Sequence, residues 1–177
     1  MDSLHSGAAP DLNPLASWLH NLGRSRSKAA APTPALSVQA TPYTSLPALL
    51  AEDEVCDVTL AQLVAVGFVD AQLTESGVVR CRTLGGHRFS LSVREGLKVV
   101  HFWTVIGGDP ARREEFERAA ARINSDLALL RAGIDDDGDV LLDTCLSYSG
   151  GLVPRQLLHT AALLEVQCAR AVCHLPT

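Results

Sequence analysis

The sequence lacks the features that would place the chain in a membrane, in the secreted class or on nucleic acid. No apolar run approaches the roughly 20 residues that a membrane-spanning helix needs, and the N-terminus lacks the charged and apolar regions of a secretory signal. Acidic residues outnumber basic ones by 20 to 15, for a formal net charge of −5. We therefore expect a soluble protein with neither a membrane nor a nucleic-acid partner, because nucleic-acid binders usually present a basic face.

The sequence also lacks paired metal-ligating and redox residues. Its five cysteines are odd in number and contain no CxxC pair, and its six histidines contain no HxxH or HExxH spacing. The glycine pairs stand in no P-loop frame. Reduced thiols without a signal predict a cytoplasmic protein, and we assign no catalytic residue, no metal site and no cofactor. The cysteines are Cys56, Cys81, Cys145, Cys168 and Cys173.

What is present is a chain of 177 residues, of which 47% are apolar, enough for one sizeable core. Residues 1–51 are predicted to be a disordered tail, because residues 23–47 are rich in Ala, Pro, Ser and Thr and contain no acidic residue. Residues 52–177 are predicted to form the folded domain.

Within the tail, residues 12–22 carry apolar side chains at helical spacing and predict a short amphipathic helix that ends at Gly23. One interpretation is a docking peptide for a partner's groove or for the protein's own domain. The other is transient local order, since so short a helix is marginal alone. The possible docking peptide comprises Leu15, Trp18, Leu19 and Leu22.

Three helices are predicted in the domain. Asp57 or Thr59 can cap the first, which runs to Gly67. Asp109 and Pro110 suit the N-cap and first position of a middle helix, whose apolar face comprises Phe116, Ala119, Ala120 and Ile123. The last helix is predicted to run from about Pro154 to His174.

Short apolar runs between these helices predict strands. Residues 78–84 and 89–93 alternate as half-buried strands do, and residues 97–106 are apolar almost throughout, which predicts a central strand. Two more strands are predicted at 127–134 and 140–147. The element order α-β-β-β-α-β-β-α predicts an α+β fold with a five-stranded antiparallel sheet.

The stretch IDDDGDV, residues 134–140, raises the question of a calcium loop. If Gly138 occupied the sixth position of an EF-hand loop, Gly133 would be first and Thr144 twelfth, and neither supplies the required carboxylate. Asp137-Gly138 instead predicts a type I′ hairpin turn. Whether the acidic turn from Asp135 to Asp139 binds any cation stays open.

Cys145, His159 and Asp143 are the residue types of a thiol triad, but the sequence offers no nucleophile elbow. We expect Cys145 to be a half-buried structural cysteine and the chain not to be an enzyme.

The last helix is apolar along two neighbouring sides, which exceeds the width that one contact face needs. We expect one side to pack on the protein's own sheet and another on a second chain or a ligand peptide. The alternative is deeper burial within one chain. The residues predicted for the dimer or partner interface are Leu157, Leu158, Ala161, Leu164, Cys168 and Val172.

The chain resembles the YbjN-type family. The resemblance is carried by the element order, by residues 122–151 (RINSDLALLRAGIDDDGDVLLDTCLSYSGG) and by the Pro-initiated last helix, and covers roughly residues 52–175. Within it, Asn124, the Asp137-Gly138 turn and Gly150-Gly151 match the family's pattern. The resemblance implies bacterial sensory transduction regulators with the fold of type III secretion chaperones. Such chaperones are small, acidic, usually dimeric proteins that bind extended segments of other proteins. It supplies no catalytic residues.

Three functions follow as hypotheses. The first is a non-enzymatic, dimeric binding module, regulatory or chaperone-like, that takes up a partner polypeptide of unknown identity on its sheet and last helix. The second is a dedicated type III secretion chaperone for one cognate effector. The third, a thiol enzyme, is the least favoured.

Overall fold

The computed structural model describes residues 36–37, 46–83 and 86–176. Three α-helices, α1 (Asp57–Gly67), α2 (Arg113–Asp126) and α3 (Pro154–Val172), accompany a sheet of seven strands. The strands are β1 (Leu36–Ser37), β2 (Val69–Leu73), β3 (Val79–Arg82), β4 (Arg88–Arg94), β5 (Val99–Ile106), β6 (Arg131–Ile134) and β7 (Val140–Ser147). Short 3₁₀ turns occupy Glu52–Glu54, Glu95–Leu97 and Pro110–Arg112.

The sheet has the order β1-β2-β3-β4-β5-β7-β6, and every neighbouring pair is antiparallel. The prediction that residues 97–106 form a central strand is confirmed, because β5 lies between β4 and β7 and pairs with β7 over its full length. Its side chains are buried or, as at Val99, Trp103 and Val105, only partly exposed, because neighbouring strands flank them on both sides.

All three helices share one core with alternate residues of the strands. Leu60 and Val64 of α1, Phe116 and Ile123 of α2, and Leu157 of α3 belong to the same buried cluster. The strand residues in that cluster lie on one face of the sheet, which we call the core face: Val79, Cys81, Phe89, Leu91, Val100, Phe102, Val140 and Leu142. The predicted apolar face of the middle helix is confirmed, since its four residues are the buried ones of α2.

The predicted count of five strands was wrong, because four strands and not three precede α2, even without the two-residue β1. The additional strand is β2. Its pairing with β3 shifts register between Val69 and Gln72, and Asp70 has a positive φ of 56°. The sequence of β2, VDAQL, does alternate apolar and polar residues, but the run is only five residues long and the predicted element order does not count it as a strand.

The acidic turn is a hairpin, but not of type I′. A type I′ turn needs two residues with positive φ, whereas in this turn only Gly138 has one, at 86°. The N–H of Gly138 donates to the carbonyl of Asp135, and the N–H of Asp135 donates to the carbonyl of Asp139. This is the pattern of a type I turn followed by a glycine bulge.

Asn124 closes the β6 edge of the sheet. Its side-chain amide donates to the carbonyl of Ala132 at 2.9 Å, and its side-chain oxygen accepts from the N–H of Ala132 at 2.7 Å. An amide side chain satisfies both polar groups of one exposed strand residue, and such capping removes a site for unwanted strand pairing.

Gly108 provides a first test of the structure. A Cβ at this position would lie 2.0 Å from the carbonyl oxygen of Gly138, whereas a Cβ at Gly107 would have no neighbour within 4 Å. We expect Gly108→Ala to lower the free energy of unfolding by about 1–3 kcal/mol, because the hairpin must move away. Gly107→Ala is the control and should change it by less than about 0.5 kcal/mol. Urea denaturation of both variants measures the difference, and equal midpoints would contradict the predicted contact.

Candidate functional site

The rotation of α3 about its axis decides which of its apolar sides is available. Pro154, Leu157, Leu164 and Cys168 of this helix are buried against the core. Glu165 fixes the rotation, since its carboxylate accepts from the hydroxyl of Thr83 at 2.7 Å and lies 3.2 Å from Nδ1 of His87. These contacts connect the helix to the end of β3 and the start of β4.

Five of the six residues predicted for the interface are therefore buried within the chain itself: Leu157, Leu158, Ala161, Leu164 and Cys168. Val172 alone among the six is exposed. In this conformation those five side chains contact the protein's own core, so a second chain cannot reach them. Periodicity shows that two sides of the helix are apolar without showing which faces inward, and five of the predicted residues lie on the inward side. An interface of this helix with a second chain stays a prediction.

The outer side of α3 retains a substantial apolar surface. We call it the α3 outer stripe, and it comprises Ala162, Leu163, Val166, Ala169 and Cys173, all of them exposed. Val166 is 56% exposed and stands at its centre, with Ala162 and Ala169 one turn away on either side. Small residues around a central valine permit another helix to approach closely.

The second candidate surface is the face of the sheet opposite the helices, which we call the open face. Cross-strand partners share a face of an antiparallel sheet, so the register defines its members: Arg80, Arg82, Arg88, Ser90, Ser92, Arg94, Val99, His101, Trp103, Val105, Arg131, Leu141, Asp143, Cys145 and Ser147. Asp70 joins them through its ion pair with Arg82. The face is polar and rich in arginine, and the core face is apolar.

A buried polar cluster lies at the centre of the open face. Nε2 of His101 is 2.9 Å from the carboxylate of Asp143, and the guanidinium of Arg131 donates to the same oxygen at 3.0 Å. His101 and Asp143 are 2% and 4% exposed, and the ring of His101 stacks on Trp103 with centroids 4.9 Å apart. A buried carboxylate requires such partners, because an unpaired charge removed from water is strongly destabilising.

The structure does not assemble the thiol triad. Asp143 contacts His101 and Arg131, and His159 is exposed on α3, on the other side of the sheet from Cys145. Burial raises the pKa of the Cys145 thiol, although Arg131 and Arg94 partly oppose the shift. A raised pKa leaves less thiolate, the nucleophilic form, so the surroundings of Cys145 do not activate it.

The other thiols divide by environment. Burial raises the pKa of Cys81 and of Cys168 to about 12. Cys56, immediately before α1, has a lowered pKa, chiefly because the Thr59 side chain hydrogen-bonds to its sulfur at 3.3 Å, with further contributions from the backbone of Thr59 and Val58.

The carboxylates of the acidic turn serve the turn itself. Asp135 accepts from the N–H groups of Asp137 and Asp139, and Asp139 accepts from the N–H of Gly108 at 3.0 Å. Within residues 46–83 and 86–176, no cluster of three or more His, Cys, Asp or Glu side chains has the arrangement of a metal site.

None of the helices in these ranges is long and apolar enough to cross a bilayer. The possible docking peptide and the helix predicted at 12–22 lie outside the described residues.

These features define an α+β protein with a one-sided sheet and two candidate binding surfaces. The family called YbjN, described as "Putative bacterial sensory transduction regulator", matches residues 68–175. The chain belongs to the YbjN family, and the resemblance inferred from the sequence is confirmed. Among curated proteins, no sequence matches this chain.

A solved structure supports the fold. The crystal structure of YbjN from E. coli, described as "a putative transcription regulator", superposes with a TM-score of 0.53 at 16% sequence identity. The superposition covers 64% of this chain and 86% of that protein. At this identity the similarity concerns the fold alone.

Sequence reasoning missed the open face. Its five arginines are spread over β3, β4 and β6 with other residues between them, so no run of cations is visible along the chain, and the cluster forms only when the strands align side by side. One signal was available: alternation places Arg80 and Arg82 on the side of β3 opposite Val79 and Cys81.

Thiol reactivity tests this description of the cysteines. At pH 8 we expect iodoacetamide to modify Cys56 several-fold faster than Cys145, because a lowered pKa increases the thiolate fraction and a raised one decreases it. Cys81 and Cys168 should react only after denaturation. Peptide mass spectrometry gives each rate. Thr59→Val should slow Cys56 and leave Cys145 unchanged, whereas fast, selective modification of Cys145 in the native protein would support the thiol-enzyme hypothesis.

Proposed function

We propose that this chain is a non-enzymatic, regulatory protein-binding module that forms a homodimer through the α3 outer stripe and takes up a partner polypeptide on its surfaces. The family description supports a regulatory role. The observation that carries the proposal is the exposed apolar surface on α3, centred on Val166, on a helix whose opposite side already fills the core.

The composition of the stripe favours a second copy of the same helix. A two-fold axis brings identical surfaces together, so Val166 of each copy would meet the gap between Ala162 and Ala169 of the other. Two exposed arginines lie on this side of the helix, Arg155 near its start and Arg170 one turn after Val166. Their long side chains can carry the charge to the solvated rim of an apolar contact.

A regulator is favoured over a dedicated type III secretion chaperone. The structural similarity is to a protein described as a regulator, and the family carries the same kind of description. The chaperone-like mode, uptake of an extended segment of another protein, remains part of the proposal as a way of binding. The two roles differ in the partner, since a secretion chaperone has one cognate effector.

Val166→Glu tests the dimer. Burying a carboxylate in a symmetric helix contact should weaken association by at least about 2 kcal/mol, roughly 30-fold in dissociation constant. Sedimentation velocity over a range of concentrations measures this shift. Val58→Glu is the matched control, because Val58 is a helical valine of almost the same exposure, 54% against 56%, on α1.

The expected result is a dimer for the unaltered chain and for Val58→Glu, and a monomer for Val166→Glu at the same concentration. If the unaltered chain is monomeric at high micromolar concentration, the homodimer is refuted. Equal weakening by both substitutions would show that added negative charge, and not the α3 outer stripe, controls association.

A further inference from the structure

The open face has a charge opposite to that of the chain. Five arginines and two aspartates lie on it, a formal excess of three positive charges, in a protein whose net charge is −5. Arg80 and Arg88 are exposed and form no ion pair within the described part of the chain. Concentrating cations on one face of an acidic protein costs electrostatic self-repulsion, and it creates a local field that attracts anionic groups.

The cations have a regular arrangement. Register places Arg80, Ser90, Trp103, Asp143 and Arg131 in one row across β3, β4, β5, β7 and β6. Adjacent strands are about 4.8 Å apart, so the two terminal arginines of the row stand roughly 19 Å apart. An extended segment of six residues has about that length.

The guanidinium of Arg131 is oriented by Asp143 and remains partly exposed. One of its nitrogens donates to the buried carboxylate of Asp143, while half of its side chain remains exposed. A guanidinium has five donors in a planar fork, so Asp143 fixes its orientation and leaves donors for a second carboxylate. Preorganisation of this kind lowers the entropy cost of binding.

Two further groups on the open face have unsatisfied hydrogen-bonding capacity. Ser92 is 6% exposed, and its Oγ is buried without a partner in the described structure, as is Nε of Arg94. Both residues follow Ser90 along β4, so they lie on the same side of the row as His101. Buried donors without acceptors are rare and costly, and a carboxylate arriving beside Arg94 would supply an acceptor.

We propose that the open face binds an acidic, extended polypeptide segment, with Arg80, Arg88, Arg94 and Arg131 contacting its carboxylates and Trp103 packing on its backbone. The inference rests on the proposed protein-binding function and specifies the chemistry of the partner.

Single-stranded nucleic acid also combines negative charge with stacking, but the face fits it less well. Such proteins stack successive bases on several aromatic side chains. Among the residues that the structure describes, Trp103 is the single tryptophan, tyrosine or phenylalanine on the open face, and one side of its ring already stacks on His101. The acidic turn at 135–139 lies at one end of the face. A long polyanion would be repelled there, while a segment of about six residues would not reach it.

The test uses the full-length chain carrying Trp18→Phe, so that Trp103 is the only tryptophan. A 12-residue peptide of alternating Glu and Ser should change its fluorescence saturably, and the change should weaken as salt rises because exposed charges are screened. A peptide of alternating Lys and Ser should have no effect. Absence of a saturable response to the acidic peptide would overturn the proposal.

Two pairs of substitutions locate the site. Arg80→Gln with Arg88→Gln should weaken binding of the Glu-Ser peptide roughly ten-fold or more, since each removes a charge-assisted contact. Arg118→Gln with Arg122→Gln removes the same charge from the exposed side of α2 and should change it less than two-fold. Equal losses in the two double variants would refute a site on the open face.

Two further measurements distinguish this inference from nucleic-acid binding and from the proposed dimer. Single-stranded RNA of 12 nucleotides should bind more weakly than the acidic peptide, and tighter binding would replace the polypeptide with a nucleic acid. Val166→Glu should leave peptide affinity unchanged while it affects the dimer. If the chain is monomeric and binds the acidic peptide, only the homodimer is refuted. If the chain is dimeric and does not bind the peptide, only the present inference is refuted.

Discussion

A sheet face without helices must be made compatible with water by its own side chains, and the three described helices of this protein all lie on the opposite face. The requirement falls on the strands β3 to β7. Most of their residues alternate between an apolar side chain towards the helices and a polar or partly exposed one on the open face, as Val79 and Arg80, Leu91 and Ser92, and Leu142 and Asp143 show. The buried Leu141 is an exception. The core and the candidate binding surface are thus two consequences of one alternation.

The same constraint explains the buried cluster. Near the middle of a wide sheet, side chains on the open face shield one another from solvent, and Asp143 is buried there although the three described helices lie on the core face. Burial of a carboxylate then demands His101 and Arg131 as partners. The cluster therefore closes the centre of the open face and orients the half-exposed guanidinium of Arg131.

Much of this fold could be predicted from the sequence, because its signals are local. The Asp109 cap, the apolar face of α2 and the continuous apolar run of β5 each lie within a short window. The predicted cap of the first helix was wrong, because Cys56 precedes that helix without a side-chain cap and the Asp57 carboxylate accepts instead from the N–H of Val93 in β4. Other features could not be predicted in this way. The acidic turn is local, but the φ values that decide its type cannot be read from Asp137-Gly138 alone. The inward side of α3 is set by its contact through Glu165 with Thr83, which belongs to a distant segment. The arginines of the open face form a group only through strand order, which composition and periodicity do not contain.

The two candidate surfaces occupy opposite sides of the molecule, and this arrangement has a consequence for binding. The α3 outer stripe faces away from the core, while the open face lies beyond the sheet on the other side. A homodimer formed through α3 would bury the helices in the middle and leave both open faces outward. Two equivalent acidic segments, or two regions of one long partner, could then bind at once, and linked segments would gain affinity from effective concentration without further contacts.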